Sequence, residues 1–104
     1  MANTPETNFK NKVIKYLKEQ NIWHVKYFAN MFTKSGIPDI LGVLPNGKFF
    51  ALELKVEPNK PTPLQTRNIE LIKKSNGKAY ILYPKDFEQF KKDIESEVQN
   101  EIWC

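Results

Sequence analysis

An α/β fold in the order αβββαβ, built on a mixed sheet and followed by an added C-terminal helix, is what this chain of 104 residues predicts. Three observations carry it. Two segments open with Thr-Pro, at Thr4-Pro5 and Thr62-Pro63, and continue with apolar residues at helical spacing. A Pro45-Asn46-Gly47 turn joins two short strand-like runs, which marks a hairpin. A further strand-like run, Lys78 to Tyr83, returns after the second helix, and a helical crossover favours parallel pairing.

Thr4 is the expected N-cap of the first helix, with Pro5 at the first helical position and Glu6 near the positive end of the dipole. Phe9, Val13 and Leu17, with Tyr16 beside them, give this helix an apolar stripe reaching about Gln20. Ile22 to Ala29 is β-branched and aromatic and reads as the first strand, and Ile40 to Leu44 as the second. Asn46-Gly47 tolerates positive φ in a two-residue turn, so Lys48 to Lys55 pairs antiparallel with the second strand. Thr62 and Gln65 are spaced as a capping box. The helix they open runs to about Ser75, where Asn76-Gly77 supplies a left-handed C-cap. Asp86 with Gln89 opens the last helix, whose stripe is Phe87, Phe90, Ile94 and Val98. Residues 1–84 are thus expected to form the core, and residues 85–104 a helix and acidic tail packed on the same domain.

A chain of this length buries roughly two-thirds of its unfolded surface around one core, so a single domain is expected. With 40% hydrophobic and 27% charged residues, composition excludes wholesale disorder. The apolar runs are strand-sized and the N-terminal segment is polar, which argues against a membrane span and a signal peptide. Cys104, the one cysteine, has no internal disulfide partner. A soluble, cytoplasmic protein is expected. Its net charge of +4 is uneven: residues 1–84 hold 13 Lys/Arg against 6 Asp/Glu, and residues 85–104 hold 3 against 6. A polyanion is expected to meet the first four-fifths of the chain.

Strand alternation puts Phe49, Ala51, Glu53 and Lys55 on one face and Phe50, Leu52 and Leu54 on the other. The hairpin brings Asp39 opposite Glu53, because both lie farthest from its turn. Two adjacent carboxylates repel, which makes a divalent cation the natural third party. Asp39, Glu53 and the Leu54 carbonyl are hard oxygen ligands suited to Mg²⁺ or Mn²⁺, which activates water and polarises a phosphate, and Lys55 adds a positive charge beside it. Lys34 and Ser35 precede Gly36, which lets a backbone phosphate approach closely, and Lys60 lies in the Glu57–Pro61 loop directly after Lys55. His24 reads as a strand residue. Trp23, Tyr27, Phe28 and Phe32 read as core aromatics in preference to base-stacking ones.

This arrangement resembles the PD-(D/E)xK nuclease superfamily, whose metal-binding aspartate, acidic residue and lysine match Asp39, Glu53 and Lys55. More specific is the run Ser35-Gly36-Ile37-Pro38-Asp39-Ile40-Leu41-Gly42, then Glu53-Leu54-Lys55, then Thr62-Pro63-Leu64-Gln65. Over roughly residues 4–84 it is similar to the VRR-NUC family, the virus-type replication-repair nucleases. The resemblance implies a restriction-endonuclease-like core and a DNA endonuclease dependent on Mg²⁺ or Mn²⁺. For the small stand-alone members, found in phage and bacteria, it implies a homodimer acting on branched DNA such as four-way (Holliday) junctions. It further implies that Glu6, on a helical face with Phe9, Lys10 and Val13, completes the metal shell, and that Gln65 lies close to Lys55. Lys34, Ser35, Gly36 and Lys60 become expected DNA contacts. The acidic tail from Glu95 to Glu101 lies outside the resemblance and reads as a partner element, a shield for the core or a solubilising helix. The alternative to an enzyme is a module that keeps the nuclease fold without turnover and binds DNA or a protein partner.

Overall fold

The structure is a computed structural model that describes residues 4–28 and 34–102, so Ala29, Phe32 and Cys104 lie outside the described residues. Its elements run α1 (Pro5–Glu19), β1 (Trp23–Lys26), β2 (Ile40–Val43), β3 (Phe49–Leu54), α2 (Pro63–Lys74), β4 (Lys78–Leu82) and α3 (Phe87–Ile102). Both Thr-Pro signals start helices. Thr4 Oγ1 accepts the Thr7 N–H at 3.1 Å, and Thr62 Oγ1 accepts the Gln65 N–H at 3.1 Å. The four strands lie in the order β1-β2-β3-β4, antiparallel across the first two junctions and parallel between β3 and β4. The α2 crossover produces that parallel pair.

The hairpin differs from the two-residue turn expected. The Leu44 N–H donates to the Lys48 carbonyl and the Gly47 N–H to the Leu44 carbonyl, both at 2.8 Å, so Pro45, Asn46 and Gly47 form a three-residue loop. Gly47 alone takes positive φ, at 89°. Proline explains the change, since its φ near −65° suits the first position of a type I turn and excludes the positive φ of a primed one. The register that results pairs Ile40 with Leu52 and Val43 with Phe49.

Helices cover the sheet unequally. Phe50, Leu52 and Leu54 project to one face, where Phe9, Val13 and Leu17 of α1 and Phe90 and Ile94 of α3 pack on them. On the other face Ala51 and Ala79 meet Ile69 of α2. β1, at the edge, has no helix on that second face among the described residues. Trp23 is therefore 64% exposed and Phe28 71% exposed, where core positions were expected, and Tyr27 is half-buried. An aromatic strand signals burial only when something covers it, and α2 lies over β3 and β4.

The left-handed C-cap expected after α2 falls on Asn76, with φ of 70°, and Gly77 has another use, whereas the start of the last helix differs from expectation. A Cβ on Gly77 would stand 2.8 Å from the Ile72 side chain. Before α3, Pro84–Asp86 forms a 3₁₀ turn in which the Asp86 carboxylate accepts the Tyr83 N–H at 3.2 Å. Proline sets this earlier start, because it is pre-organised for the first helical position. Glu97 of α3 pairs with Lys48 and Lys78, each at 3.6 Å, and accepts the Asn46 amide, which ties the acidic helix to the hairpin and to β4. Its described part thus acts as a cover for the core.

Candidate active site

The open end of the β2–β3 hairpin sets the site. Pro38 is fully buried and presents Asp39 immediately before β2. The Asp39 carbonyl accepts the Tyr27 N–H at 2.8 Å, so its main chain is held by the β1 side. Its carboxylate reaches the other way and accepts the Leu54 N–H through Oδ2 at 2.8 Å. Continuing the ladder one residue past Ile40 and Leu52 sets Asp39 across from Glu53.

Glu53 is only 2% exposed, on the same sheet face as Ala51. Its Oε2 receives both neighbouring donors: the Lys55 ammonium at 3.6 Å and the Gln65 amide Nε2 at 3.3 Å. Gln65 lies at the third position of α2, and its Oε1 accepts the Thr62 N–H at 2.8 Å. The capping bond orients the amide, because an oxygen fixed on Thr62 turns the NH₂ toward Glu53. Cap and site are served by the two ends of one side chain. Gln65 and Lys55 thus meet at the same carboxylate oxygen of Glu53.

Glu53 Oε1 is left buried without a hydrogen-bond partner. An unpaired buried carboxylate oxygen is costly, and the group responds by holding its proton. Burial, then the Asp39 charge, push the Glu53 carboxyl up to about 7, against the opposing pull of Lys55.

Glu6, Asp39, Glu53, Leu54, Lys55 and Gln65 all line one cavity of about 160 Å³. Glu6 comes from the first turn of α1 and is exposed. Lys10 lines the same cavity and was not assigned a role from sequence. Its spacing from Glu6, one helical turn, was the available signal. Among the described residues no three His, Cys, Asp or Glu side chains form a ready ligand cluster, so the oxygen donors at hand are two facing carboxylates and main-chain carbonyl. That donor set, with an orphaned oxygen on the buried carboxylate, fits a hard divalent cation.

The four expected phosphate contacts lie elsewhere. Gly36 takes φ of 76°, its carbonyl accepts the Asn68 amide at 2.7 Å, and a Cβ on it would stand 2.6 Å from Leu64 Cγ. The close approach that glycine permits is to α2. Lys34 and Ser35 are exposed beside it, Lys34 lining a separate apolar groove, and Lys60 is exposed on the loop after β3.

A mixed four-stranded sheet with an acidic, lysine-flanked cavity at the end of its central hairpin defines a nuclease-fold domain. A solved structure described as "VRR_NUC domain" matches it with a TM-score of 0.71 and 28% identity, over 89% of this chain and 97% of that one. The chain has the VRR-NUC family fold. No family sequence model and no curated protein matches it. Among the described residues no helix is long and apolar enough to cross a membrane.

Proposed function

We propose that this domain is an endodeoxyribonuclease that hydrolyses phosphodiester bonds with Mg²⁺ or Mn²⁺, acts on branched DNA such as four-way junctions, and works as a homodimer. The observation that carries the chemistry is Glu53: buried, facing Asp39, with both local donors on one oxygen and the other oxygen unpaired. Asp39, Glu53 and the Leu54 carbonyl would hold the cation, with Glu6 adding to the shell from α1. The cation would supply Lewis acidity toward the phosphate and a water nucleophile at neutral pH.

The remaining steps belong to the chain. Gln65 holds Glu53 in orientation through the Thr62 cap, so the carboxylate meets its charge partner without rearrangement. The Leu54 N–H does the same for Asp39. Lys55 is half-buried beside Glu53, where it orients the attacking water and offsets negative charge building on the phosphate. Lys10, at the cavity wall, contributes a second cation for a phosphate oxygen. The excess of Lys and Arg over residues 1–84 supports a polyanionic substrate, and the VRR-NUC fold supports DNA.

The test is cleavage of a labelled four-way junction and of a linear duplex with Mn²⁺, by the wild type, Asp39→Ala and Lys55→Ala. The expected outcome is junction cleavage by the wild type and a loss of about 10²- to 10³-fold in each variant. Equal activity in all three would overturn the assignment. Mn²⁺ calorimetry separates a silent module, which would bind no metal through Asp39 and Glu53.

A further inference from the structure

We propose that Phe28, with Lys26 beside it, reads the branch in the substrate: its ring receives an unpaired nucleobase while a nearby phosphate lies at the carboxylate cavity. The inference deepens the nuclease reading above and rests on it. β1, β3 and β4 run the same way, since β1 and β3 both pair antiparallel with β2 and β4 pairs parallel with β3. β1 therefore ends on the side where β3 delivers Glu53 and Lys55. The Tyr27 N–H, bonded to the Asp39 carbonyl at 2.8 Å, fixes how far that end reaches, and Phe28 is the next residue.

The ring is open to solvent yet firmly placed. Phe28 is 71% exposed. Tyr27 is tied twice, through its N–H to Asp39 and through its hydroxyl, which donates to the Lys34 carbonyl at 3.1 Å, so the chain that bears the ring has little freedom. Lys26 precedes Phe28 by two residues, the period that sends both side chains to one side of an extended strand, and its ammonium stands 5.6 Å from the ring centroid. The cation covers one face of the ring and leaves the other to a base.

An aromatic ring paired with a lysine suits a nucleotide, because the base meets the π-face and its phosphate meets the ammonium. β1 and β3 are two strand spacings apart, about 10 Å, which sets a base on Phe28 within a nucleotide or two of a phosphate at Glu53. Bases inside a duplex are stacked on both sides and offer no face to a protein ring. At a branch point the last base loses a neighbour, and Phe28 takes that neighbour's place, a contact worth about tenfold in affinity. Preference for branched over linear DNA then follows from one side chain. Trp23, also exposed, lies at the other end of β1, opposite Val43 near the hairpin loop, and is remote from the cavity.

Fluorescence anisotropy in EDTA tests this, with a labelled splayed fork carrying unpaired arms and a linear duplex of the same length as probes. The wild type is expected to bind the fork more tightly than the duplex. Phe28→Ala should weaken fork binding by about tenfold and leave duplex binding unchanged, with Phe28→Leu behaving as alanine does and Phe28→Trp restoring the preference. Lys26→Ala should instead weaken both probes and lower the slope of log K against log salt by about one. A Phe28→Ala loss that is equal on both probes, or absent from both, would overturn the proposal, as would a Phe28→Leu variant that matches the wild type or a wild type that binds neither DNA. Because no cation is present, the measurement is independent of hydrolysis. A protein that grips the fork through Phe28 yet cuts no DNA with Mn²⁺ would refute the enzyme and keep this inference, whereas one that cuts while its Phe28 variants keep the wild-type preference would refute the inference alone.

Discussion

Replacing Glu53 by glutamine should stabilise the metal-free protein at alkaline pH while removing its metal affinity. The magnitude follows from burial. In the folded chain the Glu53 carboxyl is raised from 4.5 to about 7, chiefly by desolvation and then by Asp39. Between those two pH values the native state holds a proton that the unfolded chain has released, so wild-type stability falls as pH rises through this window and levels off above it. At about 1.4 kcal/mol per unit the full loss is about 3 kcal/mol. A glutamine is neutral at every pH, and its carbonyl still accepts from Gln65. The pull of Lys55 is already contained in that raised value, so the net gain expected for Glu53→Gln at pH 8 is about 3 kcal/mol, and about 15 °C in Tm for a domain of this size.

Thermal melts of both proteins in EDTA at pH 5 and pH 8 read this directly. At pH 5 the wild-type carboxyl is protonated and the two should melt together or with the wild type slightly ahead. At pH 8 the variant should melt higher. Adding Mn²⁺ at a hundred times its Kd should then raise the wild type by about 2.7 kcal/mol and leave Glu53→Gln unmoved. A stability difference independent of pH, or a variant less stable at pH 8 in EDTA, would refute the account of Glu53 as a destabilising buried charge awaiting a cation.

Gln65→Glu keeps an N3 carboxylate able to cap Thr62 but sets a second negative charge on Glu53; the melting temperature at pH 8 should fall by several degrees, and cleavage should fall at least tenfold. Gln65→Ala loses the cap as well, so about 1 kcal/mol of stability should go at any pH, measured by urea unfolding. Lys10→Ala should weaken DNA binding and lower the slope of log K against log salt by about one, with Mn²⁺ affinity retained in calorimetry. Gly36→Ala combines a positive φ with a Cβ 2.6 Å from Leu64, so denaturant midpoints should report a loss of about 2 kcal/mol.

The site was legible in sequence because its members sit at ends that local rules mark. Asp39 and Glu53 are equidistant from a turn that Pro45-Asn46-Gly47 announces, and Gln65 falls at the third position of a helix that Thr62 announces. Which atoms meet was not legible. That Gln65 donates to the Glu53 oxygen that Lys55 also meets depends on how α2 lies over β3, a tertiary distance no spacing encodes. Lys10 was passed over for a similar reason, since lysines are numerous and only the approach of α1 to the hairpin singles this one out. Trp23 and Phe28 were misplaced because composition reports preference for a strand, whereas burial depends on the neighbour.

Register connects fold and chemistry more tightly than any single contact. Glu53 shares a face with Ala51, while Phe50, Leu52 and Leu54 fill the opposite core, so a slip of one residue would drive the carboxylate among the aromatic side chains of α1 and α3. The loop at Pro45, Asn46 and Gly47 sets that register, and the Asn46 amide and Lys48 ammonium are fastened to Glu97 of α3. The acidic C-terminal helix, remote from the cavity, thereby anchors the far end of the ladder that aligns Asp39 with Glu53. At the near end Asp39 is tied through its own carbonyl to Tyr27 and through its carboxylate to Leu54. The edge strand is therefore joined to one of the two carboxylates by a main-chain bond.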